Sequence, residues 1–517
     1  MRNVLKNSLL VIVTVVLCTA AAEAMVRWLE AGDDLSARQY LDKIPLAPGV
    51  DRAWFAQDPP PLPNRHAVPA EWRALDREID LSGVSGATRR ADAFKAWNSV
   101  FVGDPCQHPY LKEAPGRLFV YDPPDGSPRP PYRFLPDATT PIGLVTNAYG
   151  FRGPPVPVER RPKTIRIAFV GASTTVASHN FPYSYPEYVW QWLNQWAAAK
   201  KLDVRFEVLN AGRESINSTD IAAIMRGEVA PLAPDLVVYY EGANQFNLRS
   251  LVPNLPPQPS YAELMEKKQP TAFERTLTDL AYSSALARRL QALLASREVR
   301  KDGGEWAKPD YELVWPAGVD EGDPDLSRTD LPINLPTILH DLDIVRGVTA
   351  GVGGELALSS FVWLVSDGMV LDPERQRGIL EYLNVGYSPF RYRDLERLAA
   401  FQNRVFAKYA AEHKLAFLDV SKWMPRDPNL FIDAIHGTPE GVRLRGWVMF
   451  QLLVPLIERH LADGAWPRKD FPPAPAVQPF KPRQEPPALH TPTTSQRSQS
   501  ENSPPRFCPA PQLTLAS

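Results

Sequence analysis

The sequence has few cysteines and almost no net charge, and each shortage excludes a class of protein. Only three of its 517 residues are cysteine, and none has the CxxC spacing of a metal site or redox motif. A formal net charge of −2 supplies no basic surface for nucleic acid. Proline, by contrast, is abundant at 54 residues, which predicts long irregular connections. With 44% hydrophobic residues, the chain can still build a substantial core.

The first 29 residues combine a positively charged start with an apolar run. Arg2 and Lys6 precede Leu9–Ala22, a pattern typical of either a signal peptide or a membrane anchor. Small residues flank Glu23 as in a cleavage site, but apolar residues resume beyond it, and the run approaches the roughly 20 residues of a bilayer span. We favour an uncleaved inner-membrane anchor, with secretion after cleavage as the alternative. Both predict that the body of the chain is exported to the extracytoplasmic side.

Composition divides the remaining chain into three regions. Residues 30–150 are rich in Pro, Trp, Arg and Asp without sustained periodicity, which predicts an irregular N-terminal extension. Residues 151–465 carry the regular patterns of a folded domain, interrupted at about 247–354 by a predicted helical and loop insertion. Residues 466–517 form a Pro-rich tail with Thr, Ser and Gln, which is predicted to be disordered because it has little apolar surface to bury.

Short apolar runs alternate with amphipathic segments within the domain. The predicted strands are 165–170, 206–210, 236–240, 358–365 and 416–420. The predicted helices are about 186–200, 220–229, 277–294, 337–348, 392–413 and 447–461. Strands that alternate with helices favour a parallel sheet covered on both faces. The predicted fold is therefore α/β, a three-layer α/β/α sandwich around a mostly parallel five-stranded sheet.

Residues able to carry out acyl chemistry follow the predicted strands. Ser173 follows the first strand and Asn244 the third, at the edge of the sheet where such folds bind ligands. A serine nucleophile needs a base, which His436 can supply, and Asp433 stands three residues earlier to orient that base. The Asn244 amide, with backbone N–H groups at Ser173 and in the turn Gly212–Ser215, can form an oxyanion hole.

Four segments, in this order, resemble the blocks of the SGNH hydrolases, also called the GDSL esterase/lipase superfamily. They read V170-G-A-S-T174, N210-A-G-R-E-S215, E241-G-A-N-Q245 and D433-A-I-H436. The resemblance covers about 163–250 and 356–463. The segment T146-N-A-Y-G-F-R-G153 ahead of the first strand also looks like exported bacterial members.

The resemblance implies an SGNH, flavodoxin-like fold with a catalytic triad and an oxyanion hole. The triad would consist of Ser173, His436 and Asp433. The oxyanion donors would be the Ser173 N–H, the Asn244 amide and a backbone N–H of either Gly212 or Ser215. The resemblance implies no metal and no cofactor.

Three departures from the family pattern leave the function open. Ala172 stands where the family usually has Asp, Ser215 where it often has Gly, and Gln245 where it usually has Asp. We favour a serine esterase acting on acylated glycans or lipids of the envelope. The alternatives are an acyltransferase that acts on envelope glycans and a catalytically silent binding or assembly protein. Two further residues lie near the predicted site. Glu241 is expected to face solvent, with a role as acid or base as the alternative, and His179 is expected in a solvated loop, with a place in the substrate pocket as the alternative.

Overall fold

The computed structural model describes the predicted domain and parts of the chain on either side. The described residues are 2–33, 37–78, 133–214, 216–242, 334–373, 375–387 and 390–477, with scattered positions at 244, 273–289, 303–306 and 320–328. The helix predicted at 277–294 lies mostly outside the described residues. Ser215 and the tail beyond 477 lie outside them entirely.

Five parallel strands form one sheet. They are β1 (Thr164–Gly171), β2 (Arg205–Asn210), β3 (Leu236–Tyr240), β4 (Glu355–Ser359) and β5 (Ala416–Leu418). Their order is β2-β1-β3-β4-β5, and every neighbouring pair is parallel. The winding reverses between β1 and β3, which is where sheets of this kind form a ligand-binding crevice at the carboxyl ends of the strands. The predicted five-stranded parallel sheet is confirmed.

Helices and single turns connect the strands. The α-helices of the described residues are α1 (Arg2–Asp33), α2 (Ala70–Glu78), α3 (Ser173–Val176), α4 (Tyr185–Ala199), α5 (Ser218–Ile224), α6 (Leu335–Gly351), α7 (Arg377–Glu381), α8 (Tyr392–Glu412), α9 (Val420–Trp423) and α10 (Pro439–Ala462). Turns of 3₁₀-helix lie at Arg38–Lys43, Arg52–Ala56, Ala230–Leu232 and Pro428–Leu430, and π-turns at Met225–Val229 and Tyr382–Gly386.

The two faces of the sheet support separate cores. Side chains alternate along β1, so that Ile167 joins a core with α4 and α10 while Ala168 joins a core with α5, α6 and α8. In the first core Trp192 of α4 meets Trp447 of α10 edge to face, with ring centroids 5.0 Å apart. Helices thus cover both faces, as in a three-layer α/β/α arrangement.

The fourth strand is shorter than the sequence predicts. The apolar run 358–365 was expected to be one strand, but β4 begins earlier and ends at Ser359. Beyond it the chain leaves the sheet, and the Leu364 N–H donates to the carbonyl oxygen of Ala434 instead. The residues 361–365 are all buried. The prediction was wrong here because an apolar run reports burial and does not distinguish paired strand from buried loop.

The last helix begins earlier than predicted. It was expected at 447–461, but α10 begins at Pro439. Thr438 caps its amino end, with Oγ1 accepting the N–H of Gly441, and proline is well suited to the first helical position. The helix therefore begins three residues after His436.

The N-terminal segment predicted as a signal peptide or anchor folds as helix α1. Within the described part of the chain, no helix combines the length and apolar character that crossing a membrane requires.

Part of the N-terminal extension packs on the domain. The indole N–H of Trp192 donates to the carbonyl oxygen of Trp54, and that of Trp196 to Pro48. Phe55 adds an aromatic ring to the core between α4 and α10. The extension therefore contributes to the core of the domain.

The packed chain also continues past residue 465, where the disordered tail was predicted to begin. Trp466 is buried and its ring stacks on His460 at 4.4 Å. Arg468 donates to the carboxylate of Asp235 and to backbone carbonyls that include Val352. The boundary was wrong because these anchors are single residues in a stretch whose composition is otherwise that of a tail.

Candidate active site

A sharp turn after β1 places Ser173 at the carboxyl edge of the sheet. Glycine is required at Gly171, because a Cβ there would collide with the carbonyl oxygen of Tyr240 on β3. Ser173 is the first residue of the single-turn helix α3, and Ala177 ends that helix in the left-handed region with φ of 54°. Ser173 therefore lies beside the point where the winding of the sheet reverses.

A tight loop before α10 carries the predicted acid and base. Phe431 and Gly437 pair across it as an isolated antiparallel bridge. Within the loop, Oδ1 of Asp433 accepts the backbone N–H groups of Ile435 and His436 at 2.8 and 2.7 Å. These bonds fix the orientation of the carboxylate and leave Oδ2 to face the His436 ring.

Ser173, His436 and Asp433 form one continuous chain of hydrogen bonds. The distance from His436 Nε2 to Ser173 Oγ is 2.8 Å, and the distance from His436 Nδ1 to Asp433 Oδ2 is 2.7 Å. A carboxylate can only accept, so Nδ1 carries the proton and Nε2 is left to accept the serine hydroxyl. The histidine and aspartate side chains are 13% and 16% exposed, which limits competition from water. This arrangement can activate a hydroxyl nucleophile.

The electrostatics keep Asp433 ionised. Burial by itself raises the pKa of this carboxyl, but the charge of His436 and the hydrogen bonds from the His436 ring, the His436 N–H and the Ile435 N–H lower that pKa to about 2. The carboxylate is therefore available to hold His436 in one tautomer and to stabilise its protonated form.

A buried arginine from the segment ahead of β1 holds the loop that follows Ser173. Arg152 donates from both terminal nitrogens to four backbone carbonyls, those of Val176, Ala177, Asn180 and Pro182. Its Nε also lies 3.4 Å from the carboxylate of Glu187 at the start of α4. The sequence marked this segment only through its family resemblance, and its contacts show that it braces the nucleophile loop.

The same loop contacts the histidine loop directly. The Asn180 side-chain amide donates to the carbonyl oxygen of Gly437 at 2.9 Å. The ring of His179 lies 4.3 Å from the ring of His436, and its Nδ1 is 3.1 Å from Ser178 Oγ. The expectation that His179 belongs to a solvated loop is wrong, since the residue is half-buried against the predicted base.

The predicted oxyanion donors differ in their exposure and in the hydrogen bonds they already make. Gly212 packs so closely on α3 that a Cβ would collide with Thr175, and its N–H already donates to Asn210 Oδ1 at 3.1 Å. Asn244 is exposed after β3, and its Nδ2 donates one hydrogen to the carbonyl oxygen of Ile216 at 2.8 Å. The third candidate, Ser215, lies outside the described residues.

Glu241 is buried, whereas the sequence was interpreted as placing it in solvent. It is 1% exposed at the end of β3. Burial raises the pKa of its carboxyl to about 7, against the opposing effect of backbone N–H groups of Asn244, Gly242 and Ala172. The run of apolar residues before it was a usable signal, because a strand buried on both faces tends to stay buried at its end.

Comparison with known proteins gives results only at the level of structure. No protein-family model matches the chain, and no curated protein matches it. The chain resembles GDSL-type lipases and acylhydrolases of known structure. This is the family that the four sequence blocks resemble.

Three of these structures show the range of the likeness. A lipase/acylhydrolase from Enterococcus faecalis is 16% identical, with 62% of this chain and 99% of that chain covered and a TM-score of 0.27. A GDSL-like lipase from Bacteroides thetaiotaomicron is 11% identical, with 60% and 93% covered and a TM-score of 0.26. A variant of an acetyl-xylooligosaccharide esterase from Geobacillus stearmophilus is 13% identical, with 56% and 94% covered and a TM-score of 0.29. At these values the likeness carries no inference about activity.

Proposed function

We propose that the protein is a serine esterase that hydrolyses a carboxylic ester. The observation that supports this most directly is the hydrogen-bonded chain from Ser173 Oγ through the His436 ring to Asp433 Oδ2, with links of 2.8 and 2.7 Å. Each neighbour has the atom its role requires: an acceptor nitrogen beside the hydroxyl and an ionised carboxylate beside the other ring nitrogen.

The reaction would proceed in two halves. Ser173 Oγ attacks the ester carbonyl carbon while His436 Nε2 takes the hydroxyl proton, and Asp433 stabilises the imidazolium. The tetrahedral intermediate collapses when the bond to the alcohol oxygen breaks and His436 returns the proton to that oxygen. Water, activated by the same histidine, then attacks the acyl-serine and releases the acid.

The oxyanion would be bound by donors from more than one strand end. Ser173 begins α3, so its N–H has no acceptor within the helix. Asn244 Nδ2 carries a second hydrogen beyond the one bonded to Ile216. The third donor would be the backbone N–H of Gly212 or of Ser215, and the Gly212 N–H is already bonded to Asn210 Oδ1. Each such donor typically contributes roughly 100- to 1000-fold to turnover.

The predicted cellular location and substrate class are also part of this proposal. A chain exported through its N-terminal segment would act on acylated glycans or lipids of the cell envelope. Accessibility of the domain to protease added outside the inner membrane, before and after that membrane is permeabilised, tests the location.

The first test is covalent labelling of the full chain with a fluorophosphonate, together with hydrolysis of p-nitrophenyl esters of graded acyl length. We expect wild type to be labelled and to turn over ester, and Ser173→Ala to lose both. The matched control is Ser359→Ala, which removes another buried serine hydroxyl at the carboxyl end of the nearby strand β4. Labelling without hydrolysis would favour the acyltransferase. A folded wild type that neither labels nor hydrolyses would favour the silent binding role and contradict our proposal.

A further inference from the structure

One buried carboxylate at the site has no role in the proposed reaction. Glu241 directly follows β3, whose last residue Tyr240 pairs with Gly171 at the end of β1. Its Oε1 accepts the N–H of Asn244 at 3.0 Å, and the carboxylate also accepts the N–H groups of Gly242 and Ala172. These donors come from two separate segments, the turn before Ser173 and the loop that carries Asn244.

Thr175 in the same turn already donates from Oγ1 to the carbonyl oxygen of Tyr240 at the end of β3, but it makes no bond to the Asn244 loop. The residue before Ser173 is Ala172, which has no hydrogen-bonding group beyond its backbone. The carboxylate that holds this turn is supplied instead by the neighbouring strand. Within the described residues, Glu241 forms no ion pair with arginine or lysine, so backbone N–H groups are its principal partners.

We infer that Glu241 is a positioning residue, whose carboxylate ties the turn before Ser173 to the loop that carries Asn244. This tie would hold the nucleophile and the oxyanion donor in a fixed relative position. The inference rests on the proposed function. A displacement of about 1 Å between such groups can cost on the order of 100-fold in rate. The tie acts on the geometry of both groups and takes no part in the transfer of protons.

The strength of the tie depends on the ionisation of Glu241. Burial raises its pKa to about 7, and protonation converts one accepting oxygen into a donor that three N–H groups cannot use. Since a raised carboxyl pKa means that ionisation costs stability, acidification through pH 7 favours the fold. The protonation of Glu241 by itself therefore does not destabilise the fold over this range.

Several other titratable or charged groups lie near Glu241. From β3 itself, Tyr239 and Tyr240 face the carboxylate, and burial raises the pKa of both phenols. Asp341 of α6 acts on Tyr239, and Arg445 of α10 lies 5.5 Å from the ring of Tyr240. Beyond these, Asp433 is ionised and His436 is the proposed base, whose own protonation stops the reaction.

The test compares the full-length wild type with Glu241→Gln. The control, Glu207→Gln, alters a buried carboxylate on β2 that pairs with Arg166 far from Ser173. The rate of fluorophosphonate labelling is measured from about pH 5 to pH 9, the range in which histidine and a perturbed carboxyl titrate. Backbone hydrogen exchange of peptides covering 168–176 and 236–244 is measured in parallel.

We expect the logarithm of the wild-type labelling rate to fall with a slope greater than one just below pH 7, because protonation of Glu241 slows labelling in addition to protonation of the proposed base. Glu241→Gln should show a slope of one, label about 10- to 100-fold more slowly at pH 8, and exchange faster in both peptides. Glu207→Gln should keep the wild-type slope. Equal rates and slopes in wild type and Glu241→Gln would overturn the inference. If Glu241→Gln does not fold, a one-proton slope in wild type overturns it.

Failure of the proposed function has a different signature. Wild type that is not labelled at any pH overturns the esterase proposal. In that case, faster backbone hydrogen exchange in Glu241→Gln but not in Glu207→Gln would still support the positioning role of Glu241. Unchanged exchange in Glu241→Gln would overturn that role as well.

Discussion

At the scale of single residues, Asp433 couples the chemistry of the site to stability. Its pKa is about 2 in the folded chain, below the usual value near 3.9. Burial by itself would raise this pKa, but the attraction of His436 and three hydrogen bonds outweigh burial. A lowered carboxyl pKa contributes stability that is fully present above about pH 5 and is lost as pH falls toward 2. We predict that this contribution is on the order of 2 kcal/mol in urea unfolding, and that Asp433→Asn lacks it. An identical decline in both proteins between pH 4 and pH 2 would contradict this prediction.

The same substitution should reduce esterase turnover at pH 7 by up to about 10⁴-fold, the scale of an aspartate-to-asparagine change in a serine triad. The hydrogen-bonded set of Ser173, His436 and Asp433 could be predicted from the sequence, because the proposed chemistry requires particular side chains in a particular order. Glu241 and His179 could not, because their roles depend on burial and on the path of a loop. Only the burial of Glu241 had a signal in neighbouring residues, the apolar run of β3 directly before it.

At the scale of elements, one arginine holds the loop between α3 and α4. We predict that Arg152→Lys slows labelling of Ser173 by about 10- to 100-fold, because an ammonium cannot reproduce the planar fork that contacts four carbonyls. Hydrogen exchange should rise in residues 176–182. The matched control is Arg443→Lys in α10, which donates to the carbonyl of Phe55 in the extension and should leave labelling unchanged. Equal labelling in wild type and Arg152→Lys would refute the bracing role.

The elements themselves were predictable where a local pattern and a tertiary requirement agree. β1 and β3 lie within a residue of their predicted bounds, since both are apolar runs ended by small or polar residues. The predictions were wrong where the local sequence pattern and the tertiary packing favour different structures. The buried run after Ser359 leaves the sheet to contact Ala434, and the polar first turns of α10 lack the apolar stripe by which the helix was recognised.

At the scale of the whole molecule, the two ends of the domain converge on one buried carboxylate. Asp235, at the amino end of β3, accepts from Arg160 before β1 and from Arg468 after α10, as well as from the Arg166 N–H. The carboxylate is inaccessible to solvent, so it depends on these partners for its charge to be tolerated. Arg468, which composition assigned to a disordered tail, therefore stabilises the sheet at the edge opposite Ser173 together with Arg160.

We predict that Arg468→Gln lowers the free energy of unfolding by about 1.5 to 3 kcal/mol, the range for a hydrogen bond to a charged group, because Arg160 remains to compensate part of the Asp235 charge. The labelling rate of Ser173 per folded molecule should not change, since Arg468 contacts the amino edge of the sheet. Arg459→Gln is the control, an exposed arginine of α10 whose replacement should have little effect on stability. Urea unfolding and fluorophosphonate labelling of the three proteins separate these effects. Unfolding curves that coincide for wild type and Arg468→Gln would show that the domain does not depend on its C-terminal anchor.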